Sequence, residues 1–160
     1  MNITVSIVDY ENELQSRDLV FLLDAYAQDP MGGGEPLKPF VKENLIFRLR
    51  RTPHAFSIIG YIDGKAAGLI NCFYGFSTFS CKPLVNIHDV IVLKEFRSLG
   101  IGQKMLEKVE YIAKQTDCCK ITLEVLESNH AAKEAYSKQG FSGYELDPAI
   151  GKALFWQKVL

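Results

Sequence analysis

The fold is decided by one stretch, Asn86-Ile-His-Asp-Val-Ile-Val-Leu-Lys-Glu-Phe-Arg-Ser-Leu-Gly-Ile-Gly-Gln-Lys-Met-Leu106. It predicts a strand at 85–93, a glycine-bearing turn at 96–102 (the glycine turn) and then a helix. The helix is indicated by apolar side chains at helical spacing, which are Met105, Leu106, Val109, Ile112 and Ala113. A glycine-rich turn at a helix start directs several N–H groups and the positive end of the helix dipole at one point. We therefore expect a phosphate group to bind there.

Composition limits the possible classes of protein. With 160 residues, 48% apolar content and a net charge of −1, the chain is expected to form a single domain, 1–160, with a core. It lacks the basic footprint of a nucleic-acid binder. The spacing of Cys72, Cys81, Cys118 and Cys119 fits neither a zinc site nor a disulfide framework, so we expect free thiols and no metal. With no leader or membrane-spanning run in the sequence, a cytoplasmic location without membrane contact is expected.

Hydrophobic periodicity gives the element order β-α-α-β-β-β-α-β-α-β-β. Strands are predicted at 3–8, 54–62, 65–76, 85–93, 120–126, 141–146 and 153–159, and helices at 13–28, 39–51, after the glycine turn and at 131–138. The pattern predicts an α/β (α+β) fold with a mixed sheet of about six to seven strands and about four helices. Between the first two helices, the glycine-rich segment 29–36 is either a linker or a mobile wall over a pocket.

Two sequence motifs carry a family resemblance. Arg97-Ser-Leu-Gly100-Ile-Gly102 lacks the spacing of a P-loop or a Rossmann fingerprint, but it matches Arg/Gln-x-x-Gly-x-Gly/Ala between a strand and a helix. It is followed, after a strand, by Asn129-x6-Tyr136-x3-Gly140-Phe141. Together these motifs and the element order resemble the GNAT superfamily of acetyl-CoA-dependent N-acetyltransferases. The stretch 86–141 further resembles the polyamine and thialysine (spermidine/spermine-type) branch.

The resemblance implies an acyl-CoA N-acyltransferase fold and acetyl-CoA as co-substrate. Its pyrophosphate is expected on the glycine turn and its pantetheine arm along the preceding strand. The cofactor-binding residues so predicted are Val90, Ile91, Val92, Arg97, Ser98, Leu99, Gly100, Ile101, Gly102, Gln103, Asn129, Ala132 and Tyr136. Tyr136 matches the family's proton donor to the CoA thiolate. Asn129 is either a plain helix cap or a cap that also bonds the pantetheine amide.

The acceptor side is less determined by the sequence. His88 and Asp89 are neighbours on the central strand, so they are expected to face opposite sides of the sheet, and only one meets the amine. His88 falls where the polyamine branch carries a glutamate base, and it is either the base itself, since a histidine is suited to proton transfer at neutral pH, or a histidine satisfied within a polar pocket. Asp89 either binds a cationic substrate or pairs structurally. Met31, Phe76 and Thr78 are the other predicted substrate-binding residues.

The function expected from these features is acetyl transfer from acetyl-CoA to the primary amine of a small molecule, polyamine-like or amino-acid-like, by direct attack in a ternary complex. Two alternatives stay open: a non-catalytic acyl-CoA-binding sensor, and a protein lysine or N-terminal acetyltransferase. The aromatic residues of segment 73–79 either cradle an aliphatic amine or form part of a core or dimer seam. A homodimer is expected.

Overall fold

The computed structural model describes residues 1–145 and 147–160 of the chain. The strands are β1 (Ile3–Ile7), β2 (Ala55–Ile62), β3 (Lys65–Ser77), β4 (Lys82–Val92) and β5 (Ile121–Leu123), and the α-helices are α1 (Glu13–Gln28), α2 (Pro39–Arg50), α3 (Ile101–Gln115) and α4 (His130–Lys138). Short 3₁₀ turns lie at Pro30–Gly32 and Lys94–Phe96. No helix in the described ranges is long and apolar enough to cross a membrane.

The sheet is mixed and runs in the order β1-β2-β3-β4-β5. The first four strands pair antiparallel, and β5 joins β4 in parallel. The α/β architecture predicted from the sequence is confirmed, with helices on both faces of the sheet. Consecutive residues such as Ile58 and Ile59, or Leu69 and Ile70, are all buried but belong to clusters on opposite faces. This two-sided burial explains why these strands are apolar runs rather than alternating patterns.

Helix α3 covers one face, and α1 with α2 covers the other. Met105 and Ile101 of α3 lie directly over glycines of the sheet: a Cβ on Gly68 would lie 2.5 Å from Met105 Cε, and one on Gly60 would lie 2.8 Å from Ile101 Cδ1. Glycine at these two strand positions therefore lets α3 approach the sheet closely. This packing fixes the start of α3, and with it the glycine turn, relative to the end of β4.

The prediction of six to seven strands is wrong, because the described residues form a five-stranded sheet. The last two predicted strands are replaced by one isolated bridge between Glu145 and Lys152, and Leu146, the predicted end of the first, lies outside the described residues. Among the described residues no strand pairs with 153–159, whose apolar side chains are exposed. Their β-prone composition is not sufficient to form a strand without a pairing edge.

Two other boundaries differ from the prediction for identifiable reasons. Segment 77–84, which separates two predicted strands, is strand in half of its residues, because the β3–β4 hairpin extends to a short loop at 78–81. Its polar residues are compatible with strand pairing because this end of the hairpin is largely exposed. Strand β5, predicted at 120–126, is limited to Ile121–Leu123, since in the described part of the chain it pairs with β4 only from Val85 to Ile87.

Candidate functional site

The glycine turn presents a set of unpaired backbone donors. Gly100 is the N-cap of α3 and adopts φ 85°, and Ser98 is also left-handed at φ 62°. Within the described chain, the N–H groups of residues 98–103 donate to no backbone carbonyl or side chain, and the first bonded amide of α3 is that of Lys104, to the Gly100 carbonyl at 3.2 Å. These N–H groups lie at the positive end of the helix dipole, so the turn is suited to an anion such as a pyrophosphate.

Strands β4 and β5 diverge directly below this turn. They pair only at three positions, and from His88 to Val92 the edge of β4 that faces away from β3 has no partner strand among the described residues. Because Leu93 N–H bonds the Ala67 carbonyl at 3.0 Å, the antiparallel alternation directs the backbone groups of Val90 and Val92 away from β3 and those of Ile91 toward it. Val90 and Val92 therefore offer main-chain groups to an extended ligand in this gap (the β4–β5 opening).

Arg97 is held by two contacts at the rim of the opening. Its Nε donates to the Val92 carbonyl at 3.1 Å, and its Nη2 lies 3.4 Å from Asp29 Oδ2. Asp29 also accepts a hydrogen bond from the Met31 N–H at 2.9 Å, and this bond, followed by Arg97, holds the pKa of the Asp29 carboxyl below its ordinary value. The segment after α1 is thereby tied to the glycine turn, which places Met31 at the same rim.

His88 and Asp89 do not face opposite sides of the sheet, so that prediction is wrong. The register pairs Cys72 with Ile87 and Asn71 with Asp89, which leaves His88 as the extra residue of a β-bulge. The bulge resets the alternation, so both side chains lie on the face covered by α1. His88 Nδ1 is 3.3 Å from Asp89 Oδ1, and the imidazole packs edge-on against Phe73, with ring centroids 5.6 Å apart.

Two tyrosines are linked to this pair, since the charge of Asp89 acts on Tyr26 and Tyr26 in turn neighbours Tyr136. Tyr136, on α4, is half-buried and stacks at a tilt on Phe141, with ring centroids 5.9 Å apart. Burial, and then the neighbouring Tyr26, raises the pKa of Tyr136 to about 12. Burial also raises the pKa of Tyr26, to which the charges of Asp89 and Asp29 contribute. Both phenols therefore stay protonated at neutral pH, and each has an O–H that can donate to a ligand.

Three further predicted residues are Asn129, Phe76 and Thr78. Asn129 caps α4, accepting from the Ala132 N–H at 3.2 Å, which leaves its amide N–H groups for a ligand. Phe76 and Thr78 are not brought together with His88. Phe76 lies four residues beyond Cys72 on β3, about 13 Å along the strand, and its side chain points to the opposite face.

Sequence reasoning missed the polar residues that surround His88 and Asp89. Tyr26 lies within the predicted helix 13–28, and Ser57 and Asn71 lie within the predicted strands 54–62 and 65–76, where none of them was singled out as a site residue. The available signal was the interruption of apolar strand runs by a serine and an asparagine at positions that pair directly, Ser57 opposite Asn71. Only the register of three strands reveals that these residues and Asp89 lie in one line.

Comparison with known proteins identifies the family. The sequence profile of the Acetyltransferase (GNAT) family matches residues 19–141, which include the glycine turn, the β4–β5 opening and Tyr136. The chain therefore belongs to the GNAT acetyltransferase family. The resemblance of both motifs to this family is confirmed.

Individual relatives agree with this assignment. The chain is 36% identical over 83 residues to an uncharacterized N-acetyltransferase of Archaeoglobus fulgidus, a match covering 51% of this chain and 56% of that protein. It is 31% identical over 68 residues to the thialysine N-epsilon-acetyltransferase of Bos taurus, covering 42% and 39%. The chain thus spans about half the length of the curated relatives it matches. A crystal structure of a probable acetyltransferase superposes with a TM-score of 0.80 over 99% of both chains at 19% identity, which shows a shared fold.

Proposed function

We propose that the protein transfers the acetyl group of acetyl-CoA to the primary amine of a small, cationic acceptor. The observation that carries the proposal is the continuity between the unpaired N–H groups of residues 98–103 and the β4–β5 opening. A pyrophosphate on the turn would direct the pantetheine arm along Val90 and Val92, beside the tyrosine of α4. The GNAT family to which the chain belongs uses acetyl-CoA in this role.

His88 is proposed as the base on the acceptor side. An ammonium substrate must lose a proton before its nitrogen attacks, and an imidazole accepts that proton at neutral pH. The His88 side chain is 66% exposed, so a substrate can reach it, while Asp89 and Phe73 fix its position. The released lone pair then attacks the thioester carbonyl carbon, and a backbone N–H in the β4–β5 opening polarises its oxygen.

Tyr136 is proposed to assist departure of the thiolate. As the C–S bond breaks, the electron pair passes to sulfur, and the phenol O–H donates to it. With its pKa near 12, the phenol is a stronger base once ionised than a thiolate of ordinary pKa, so Tyr136 acts chiefly as a hydrogen-bond donor. The attacking nitrogen still carries a second proton, which passes to the departing thiolate and gives free CoA thiol, while the first proton, held by His88, is released to solvent.

Chemistry at the site favours a cationic amine as acceptor. Asp89 and Asp29 place carboxylates on the same side of the opening, and the phenol of Tyr26 lies near both. Carboxylates beside aromatic rings attract an ammonium group and its alkyl chain. The relationship to the thialysine acetyltransferase, whose name specifies an N-epsilon amine, supports this class of acceptor.

A thiol-release assay tests the proposal. The protein is incubated with acetyl-CoA and separate panels of polyamines, lysine analogues, aminoglycosides and amino acids, and free CoA is measured. We expect release with at least one alkylamine and a kcat reduced by about 10²-fold or more in His88→Gln. Calorimetric binding of acetyl-CoA without turnover of any acceptor would instead indicate a sensor, and absence of binding would refute the whole proposal.

A homodimer is proposed as the functional assembly. Phe76, 60% exposed, and the fully exposed Phe79 stand at the end of the β3–β4 hairpin, and five large apolar side chains of 154–160 are also exposed. Exposed apolar groups in such numbers are typical of an interface. Light scattering on the intact protein is expected to give a mass twice that of one chain. The double variant Phe76→Ser, Phe79→Ser is expected to give a lower mass. A monomer at all concentrations would contradict it.

A further inference from the structure

A line of polar side chains crosses the sheet behind His88. Ser57 on β2 pairs with Asn71 on β3, which pairs with Asp89 on β4, so three adjacent strands contribute one residue each at the same level. Tyr10, from the loop before α1, closes the line. The bonded distances are 2.8 Å (Tyr10 Oη to Ser57 Oγ), 2.7 Å (Ser57 Oγ to Asn71 Oδ1) and 3.0 Å (Asn71 Nδ2 to Asp89 Oδ2). We call these four residues the polar row.

The location of the polar row is costly for folding. Ser57 is 1% exposed and Asn71 5%, and they are the buried polar residues of the described chain. Their neighbours on the same sheet face are apolar, including Ile59, Leu69 and Ile91. Apolar residues of similar shape would pack there at little or no loss of stability, whereas buried polar groups are tolerated only when fully bonded. The polar row therefore needs an explanation other than stability.

The direction of every hydrogen bond in the row follows from the carboxylate at its end. Ionised Asp89 can only accept, so the Asn71 amide must turn its Nδ2 toward Asp89 and its Oδ1 toward Ser57. The Ser57 hydroxyl must then donate to Asn71, and the Tyr10 hydroxyl must donate to Ser57. Burial raises the pKa of Tyr10, which keeps this phenol protonated as the row requires.

The carboxylate of Asp89 also acts on the imidazole of His88. Asp89 Oδ1 lies 3.3 Å from His88 Nδ1, and this neighbouring negative charge favours the neutral tautomer that carries its proton on Nδ1 and its lone pair on Nε2. Nε2 lies on the side of the ring remote from Asp89, and Phe73 limits rotation of the ring. A base for an incoming ammonium group needs this tautomer and orientation.

We infer that Asp89 and Asn71 are positioning residues that select the Nδ1–H tautomer of His88, with Ser57 and Tyr10 fixing the orientation of the Asn71 amide. This inference rests on the proposed acetyl transfer for its purpose, but its physical content is a tautomer in the protein itself. Asp89 is thereby assigned to hold the base rather than to accept the substrate proton.

The test is ¹⁵N NMR of the histidine side chains in the intact protein without ligand, at a pH where the imidazoles are neutral. The chain has three histidines, and the signal lost in His88→Gln identifies His88. The wild-type protein is expected to show a protonated Nδ1 and an unprotonated Nε2. An Nε2–H tautomer in the wild type would overturn the inference, and this measurement needs no variant that must fold.

Asp89→Asn gives a sharper result. Because Asn71 still donates to the oxygen of the new amide, the amide NH₂ must face His88 Nδ1, and His88 is expected to switch to the Nε2–H tautomer. Adding Asn71→Leu frees the new amide to turn, so the Nδ1–H tautomer should recover in part. Asp18→Asn is the matched control: like Asp89, Asp18 accepts a side-chain hydrogen bond, here from Tyr61 Oη at 3.1 Å, but it lies outside the polar row.

Kinetics separate this inference from the proposed function. We expect Asp89→Asn to lower kcat by about 10- to 100-fold, part of the contribution of a general base, with the KM for acetyl-CoA unchanged. Asp18→Asn should leave both values as in the wild type. A protein that shows the expected tautomers but no acetyl transfer would refute the proposed function alone. If the protein is active but the His88 tautomer is the same in Asp89→Asn as in the wild type, the positioning role alone is refuted.

Discussion

Replacing the two glycines of the glycine turn one at a time tests the phosphate-binding geometry. Gly100 adopts φ 85°, a conformation that L-residues rarely adopt, and a Cβ there would meet no heavy atom within 4 Å. Gly102 lies in the first turn of α3 without positive φ, and its Cβ would make an ordinary contact, 3.5 Å from Val92 Cγ2. Gly100→Ala therefore introduces backbone strain without a clash, and Gly102→Ala introduces neither.

The expected magnitudes follow from these conformations. A left-handed alanine costs about 1–2 kcal/mol, offset by about 0.4–1 kcal/mol from the reduced entropy of the unfolded chain. Gly100→Ala should therefore lower the free energy of unfolding by about 1 kcal/mol, or the Tm by about 2–4 °C for a chain of this size. Gly102→Ala should raise the free energy of unfolding by about 0.4–1 kcal/mol, because alanine favours the helix.

Ligand binding should change independently of stability. If residue 100 of the Gly100→Ala variant relaxes toward negative φ, at least one N–H of residues 98–103 turns away from the pyrophosphate. One lost hydrogen bond to a charged group, about 1.5–3 kcal/mol, raises the Kd for acetyl-CoA by about 10- to 150-fold. Gly102→Ala should keep the Kd within about threefold, since the family motif allows alanine there.

Thermal unfolding and titration calorimetry with acetyl-CoA measure both effects on the same samples. Gly102→Ala serves as the matched control, because it adds the same methyl group two residues away. An unchanged Kd and Tm in Gly100→Ala would show that the left-handed cap is not needed for the turn, and the reasoning from geometry to phosphate binding would fail. A Kd raised equally by both substitutions would indicate that bulk, not backbone direction, matters.

Three further predictions concern single side chains. Tyr136→Phe should lower kcat by about 10²-fold, and because the wild-type pKa is near 12, kcat should show no loss from ionisation of Tyr136 up to about pH 10. Asp29→Asn should free Arg97 for the cofactor and lower the Kd for CoA by about two- to fivefold, as an exposed ion pair is worth about 0.2–1 kcal/mol; a higher Kd would contradict this. Burial raises the pKa of the Cys72 thiol, so a disulfide reagent should modify exposed Cys81 rapidly and Cys72 only after unfolding.

Local patterns predicted most of the fold. Helix α1 was predicted with the observed ends, because local residues set both of them. At its start the Asn12 side chain accepts from the Gln15 N–H at 3.1 Å, and at its end segment 29–36 stops the helix. The glycine turn was equally readable, since positive φ at Gly100 and apolar spacing in α3 are local properties. The end of the chain was not, because a strand exists only where a partner edge accepts its hydrogen bonds.

The candidate site divides in the same way. The sequence by itself was sufficient to predict the glycine turn, the position of Tyr136 in the second motif and the family. Each of these depends on residue types at fixed short spacings. Only the tertiary structure decided how His88 and Asp89 are arranged, since a one-residue bulge relative to β3 turns both to one face. It also brought Asn71, Ser57 and Tyr10 behind them, because cross-strand register joins residues far apart in the chain, and no local pattern encodes register.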